Sequence, residues 1–178
     1  MENKLIVLLF LAFIKIGTLI AQDENIKNFQ NILGDEKIEI IDLLVKDFDN
    51  ALNKKYPELS IENAYLRFLY DIQIDNFEFS DFNYISDSTN IKLFKSNLRS
   101  DLYQREMLPA LLINFNGDYN KALNEISHSS DELLKEFYKT RGKYGIIQHK
   151  LLCNLFLKND PDFSNYLHKR ILVLTFVM

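Results

Sequence analysis

Apolar residues recur every three or four positions through most of the chain, and the scarce glycines (5) and prolines (3) fall mainly between these runs. This is the period of amphipathic helices. Residues 24–33 set Ile26, Phe29 and Leu33 on one face, followed by Gly34, a residue suited to closing a helix with positive φ. The next pattern starts near Asp35. Ile38, Ile41, Val45, Phe48 and Leu52 advance by 3, 4, 3 and 4, with Lys37, Glu39, Asp42, Lys46 and Asp49 mostly off that stripe, and Pro57 stops the helix at Tyr56. Ser60 is placed to cap a third helix whose buried stripe is Ile61, Tyr65, Phe68 and Ile72.

The helical period lapses over 75–90, where Phe77, Phe79, Phe82 and Tyr84 recur at closer to every second position among Asp, Ser and Asn; the segment reads as a hairpin or an ordered irregular loop. It returns after Thr89 with Ile91, Phe94, Leu98 and Leu102 on one face. Pro109 then kinks or restarts the chain before the apolar run Ala110–Ile113. Asn116-Gly117-Asp118 is a turn, with Asp118 as cap of a helix bearing Tyr119, Ala122, Leu123 and Ile126. Ser129 and Glu132 have the spacing of a capping box for a helix that buries Leu133, Leu134 and Phe137 and stops near Gly142. A further helix over about Tyr144–Lys158 holds Cys153, and Asp160-Pro161 reads as an N-cap followed by a first-turn proline. The last helix aligns Phe163, Leu167, Ile171 and Leu174, and the apolar end Val173–Met178 is expected in the core. The sum is an all-α fold, a compact multi-helix domain of about seven to nine helices with an irregular or hairpin insertion at 75–90.

The start of the chain follows a different rule. Lys4, the apolar run Leu5–Ile14 and Ala21 before the polar Gln22-Asp23-Glu24-Asn25 form the outline of a secretory signal peptide over 1–21, leaving 22–178 as a single helical domain. Glu2 in the basic start and Leu19 two places before Ala21 keep an uncleaved anchor as the alternative. With Lys15 inside it, the segment is short of the roughly 20 mainly apolar residues of a spanning helix, so no stable membrane span is expected after cleavage. The remainder carries 19 basic and 24 acidic residues, a net charge of −5. Lysines alternating with acids form no basic patch, so nucleic acid is not expected as a partner.

Chemistry-bearing patterns are sparse. Cys153 is the one cysteine, so no intrachain disulfide forms, and its Leu-Leu-Cys-Asn-Leu-Phe setting reads as core packing rather than as a nucleophile. His149 lies one turn before it. Glu125-Ile126-Ser127-His128 matches the Glu-x-x-His of carboxylate-bridged di-iron bundles, but Ile146 and Asn165 stand three before His149 and His168, so no second copy exists. The acids Asp75, Glu78, Asp81 and Asp87 lack calcium-loop spacing and its central glycine. No zinc, dinucleotide, phosphate-loop or nucleophile-elbow signature is present. The sequence therefore assigns no catalytic residue, no cofactor and no metal site, and leaves room for a protein or peptide partner that it does not identify.

Two resemblances bear on that partner. Gly117-Asp118-Tyr119-Asn120-Lys121-Ala122-Leu123, with Ala110 before it, resembles the middle of a tetratricopeptide repeat over 106–126, which implies a helix pair and a peptide-binding module; Ser129, Leu134 and Leu151 depart from that pattern. Phe115-Asn116-x-Gly-Asp-Tyr-x-x-Ala-Leu and Asp162-Phe163-x-x-Tyr-Leu-x-Lys-Arg-Ile-x-Val resemble small exported helical proteins of Bacteroidota with no assigned activity, and the Ala21-Gln22 junction is similar to their signal-peptide ends. The resemblance implies an exported helical domain and no site residue. The expectation is an exported, non-enzymatic domain that binds a partner or supports the envelope, with an enzyme built on helix-borne Glu and His, or a tetratricopeptide-like peptide binder, as the alternatives.

Overall fold

Over residues 22–73, where the apolar period is most regular, the computed structural model of the protein carries helices close to the expected bounds. It describes residues 22–105 and 111–177; the expected signal segment 1–21 with its cleavage point, Ala110 of the expected repeat, and Met178 lie outside the described residues. Residues 22–33 form α1, and Gly34, at φ 78°, lets the chain turn directly into α2 (Asp35–Lys55). Helix α3 (Ile61–Gln73) begins at Ser60, whose side chain accepts a hydrogen bond from the Asn63 amide, as expected of a cap. After it come α4 (Asp87–Lys95), α5 (Leu98–Leu102), strands β1 (Tyr103–Arg105) and β2 (Leu111–Ile113), and helices α6 (Asp118–Ser127), α7 (Glu132–Tyr144), α8 (His149–Lys158) and α9 (Tyr166–Phe176). The fold is all-α with one two-stranded antiparallel sheet among the described residues.

Helix α9 is central. From Ile171 to Phe176 every residue is buried, which a helix tolerates only when neighbours cover it on all sides, and α2 packs along it. Phe48 of α2, fully buried, meets Tyr65, Phe68, Phe82 and Tyr84 with ring centroids 5.2–5.5 Å apart. Helix α3 also packs on α8, and α6 on α7. The apolar end Val173–Val177 is docked as expected, with Tyr84 donating its hydroxyl proton to the Phe176 carbonyl.

Of the two readings of 75–90, the irregular one holds up to the start of α4 at Asp87, with one 3-10 turn at Phe79–Asp81 and no strand pair; Phe77 and Phe82 turn inward onto Phe68 because core contact outweighs local period. Other local expectations are corrected. The stripe Ile91, Phe94, Leu98, Leu102 does not exist as one face. Ser96 accepts from the Leu98 amide and donates to the Leu93 carbonyl, so the helix breaks, Leu93 turns in, and Phe94 is left 82% exposed. The apolar run before Asn114 is strand β2, where a tetratricopeptide pair would need helix. The cap of α7 is Asp131, which accepts from the Leu134 amide, while Ser129 serves only the Asp131 amide. Asp160 has φ 49° and Pro161 starts no helix; α9 begins five residues later behind Asn165, which caps it through the Leu167 amide.

The start of α6 shows why the turn at 116–118 carries glycine. Asp118 is the first residue of the helix rather than its cap; the free amides of Asp118 and Tyr119 are taken by the two carboxylate oxygens of Asp101, in α5, at 2.7 and 2.8 Å. Lys37 of α2 closes this cluster at 3.1 Å from Asp101 and 2.8 Å from Asp118. A Cβ on Gly117 would sit 2.1 Å from the Asp101 carbonyl oxygen, so only glycine permits the approach.

Candidate functional site

The residues that carry chemistry in the sequence do not converge. His128 is exposed at the end of α6, and Glu125 one turn before it is exposed as well. Among the described residues no group of three His, Cys, Asp or Glu side chains is arranged to hold a metal ion. Cys153 is fully buried, and burial pushes its thiol up to about 12, far from a reactive thiolate. The His149 ring packs against Phe79 at 4.6 Å and Phe176 at 4.9 Å, and burial lowers its pKa.

The histidine that sequence spacing passed over is the one with partners. His168 is 5% exposed, and its Nε2 lies 2.8 Å from Asp131 Oδ2 while the Asp162 amide donates to Nδ1 at 3.1 Å. The amide donor places the imidazole proton on Nε2, which donates to Asp131. A histidine–aspartate pair of this kind resembles a catalytic dyad, but in a dyad the second nitrogen must face substrate. Here it faces backbone. The arrangement ties the start of α7 to the turn before α9. Burial alone would raise the Asp131 pKa; hydrogen bonds from His168 and from the Leu134 and Leu133 amides outweigh it and hold the carboxyl below its ordinary range. No residue thirty-odd positions away in sequence announces such a pairing.

Buried Arg141 is likewise committed inward: it donates to the Leu102 carbonyl at 3.3 Å and lies 5.2 Å from the centroid of the Tyr119 ring. Asp71 of α3, also buried, accepts from Tyr56 at 2.9 Å and pairs with Arg67 at 2.9 Å. These charged groups hold elements together.

Open apolar surface gathers instead around the hairpin. On one side a groove of about 590 Å³ runs between α4–α5 and the sheet, walled by Leu93, Phe94, Tyr103, Leu111 and Val177 with Arg99 at its edge. On the other a groove of about 330 Å³ lies between β2 and the end of α7, walled by Leu111, Leu112, Ile113, Phe115, Tyr144 and Ile146. Phe115 and Tyr144 are each about half exposed, at 48% and 55%. Both volumes are in the range of ligand clefts, and large apolar side chains exposed around a groove mark interaction surfaces. The sequence signal for this site was weak: the Leu111–Ile113 run was legible as apolar, but its pairing with Tyr103–Arg105 was not. Comparison of the chain with protein-family models, with curated proteins and with solved structures finds no match.

Proposed function

We propose that the chain is an exported, non-enzymatic binding domain whose partner is a protein or peptide that docks beside the hairpin. The observation that carries this reading is the clustering of Phe94, Leu112, Phe115 and Tyr144, all exposed, around two grooves that share Leu111. The committed state of His168, Cys153, Asp71 and Asp101 supports it, since each is held in packing or structural bonds rather than directed at open space. Export rests on the outline of residues 1–21 and on the resemblance to exported Bacteroidota proteins; no helix among the described residues is long and apolar enough to cross a membrane.

Two experiments test the two halves. Selection of a displayed library of short random peptides on the folded protein is expected to enrich binders, and a Leu112→Ser, Phe115→Ser, Tyr144→Ser variant of unchanged circular dichroism is expected to enrich none. Equal enrichment by both proteins, or none by either, refutes the binding surface. For export, N-terminal mass analysis is expected to show cleavage between Ala21 and Gln22. An intact Met1 in the membrane fraction sinks that half.

A further inference from the structure

The larger groove differs from the smaller one in its floor and in its charge. Leu93, Tyr103 and Val177 line it, and all three belong to the core, at 0%, 7% and 1% exposed. The groove, about 590 Å³ in volume, is therefore a notch that reaches the edge of the core. Phe94 stands at its rim with 82% of its surface in water, and an occupant would cover part of that ring.

Among the described residues no acidic side chain lines this groove. Ser96 and Ser100 donate their hydroxyl protons to the Leu93 and Asn97 carbonyls, so both are committed to their own helices. Arg99 is different. It lines the groove, is exposed, and forms no ion pair or side-chain hydrogen bond among the described residues. Gln104, exposed on β1, likewise has no side-chain hydrogen bond there. The surrounding chain adds to the positive sign: residues 91–105 hold four basic residues against one acid, Asp101, which is turned to the amides of α6 and to Lys37. Burial raises the Tyr103 pKa while Arg141 opposes the rise, which places a second guanidinium behind the groove floor. Arg141 is buried and has no carboxylate partner among the described residues. A cleft of one sign between low-dielectric walls concentrates the opposite charge.

We infer that this groove is a binding site for a single-chain amphiphile with a carboxylate head, the class of the fatty acids. The aliphatic chain lies on Leu93, Tyr103, Leu111 and Val177, and the head meets the Arg99 guanidinium with the Gln104 amide beside it. An apolar lining without acids disfavours a cation, and a sugar or nucleotide would bring many polar groups to serines that are already committed. One unpaired guanidinium in the lining matches one monovalent head, whereas a phosphate dianion would leave charge and oxygens without donors. The volume lies in the range that encloses ligands of this size. The site goes beyond the peptide reading, whose variant is confined to the smaller groove.

The test is calorimetric titration of the folded protein with dodecanoate, dodecanol and dodecyltrimethylammonium, each kept below its micelle concentration. Dodecanoate is expected to bind saturably at a single site, at least ~10-fold more tightly than dodecanol, and dodecyltrimethylammonium is expected not to bind. Arg99→Gln, a change at an exposed position, is expected to remove the preference for the carboxylate and leave dodecanol binding as it was. Phe94→Ser, equally exposed, is expected to weaken both chains several-fold, and circular dichroism checks that both variants keep the fold. The Leu112→Ser, Phe115→Ser, Tyr144→Ser variant is expected to bind dodecanoate as the parent does. Absence of saturable binding, equal affinity for the three heads, or unchanged affinities in Arg99→Gln overturns the site. Binding lost in the triple variant and kept in Phe94→Ser places the ligand in the smaller groove and overturns the assignment. Peptide enrichment without dodecanoate binding leaves the peptide reading standing alone, and dodecanoate binding without enrichment leaves this site standing alone.

Discussion

Phe48→Ala removes the ring on which the aromatic core converges. Phe48 is 0% exposed and contacts the rings of Tyr65, Phe68, Phe82, Tyr84 and, at 6.2 Å, Phe176, so three separate segments meet on it. An aromatic side chain of this kind buries roughly 150 Å². At about 25 cal/mol per Å² the transfer contribution is about 3.8 kcal/mol, and a compact denatured chain lowers it somewhat. The cavity adds to the loss because α2, α3 and α9 are each anchored by other contacts and collapse only in part. Measured Phe→Ala changes in cores span about 3–5 kcal/mol, and a loss of about 4 is expected here. Urea titration followed by circular dichroism on residues 22–178 reads it as a fall in midpoint at constant slope. Phe94→Ala is the internal control. With 82% of its surface in water it is expected to change stability by no more than about 0.5 kcal/mol, although helical period alone puts it in a buried stripe. A loss below about 1.5 kcal/mol at Phe48, or above that at Phe94, refutes the inward and outward assignment of these helices.

Gly117→Ala is expected to cost about 1–3 kcal/mol, since its Cβ meets the Asp101 carbonyl at 2.1 Å and the cap of α6 must shift; thermal melts against Gly142→Ala, where nothing lies within 4 Å, separate this from a general glycine effect. Acid is expected to weaken the fold: hydrogen bonds from Lys121 and Lys37 hold Asp118 at about 2 against an ordinary 3.8, and a carboxylate with a lowered folded pKa stabilises above its unfolded value and loses that contribution as pH falls through the folded one. Urea midpoints of Asp118→Asn should accordingly fall less than those of the parent between pH ~4 and ~2, and parallel curves would refute the assignment. Cys153 is expected to resist a thiol reagent in the native protein and react after unfolding in urea; stoichiometric native labelling would contradict its burial. Metal content of untagged protein is expected to be unchanged by His128→Ala, and stoichiometric zinc or iron lost in that variant would revive an enzyme built on Glu125 and His128.

Period and punctuation in the chain determined most of the helices: α2 and α3 are defined by stripes of 3 and 4, by Pro57 and by the Ser60 cap, all interactions between residues within a turn of each other. The absence of a complete metal or nucleotide motif was legible in the same local way. What tertiary structure decided are the features made by residues far apart. Asp101 caps α6 from another helix, 17 residues back; Asp131 and His168 meet across 37 residues; Phe77 and Phe82 go inward because Phe68 offers a dry surface there, while Phe79 stays exposed. Leu111–Ile113 is apolar enough for either helix or strand, and it becomes a strand when Tyr103–Arg105 pairs with it. The groove beside it, on which the proposed partner surface rests, is made by that pairing together with the position of Tyr144, because a cleft between a strand and a helix exists only once both have been brought together.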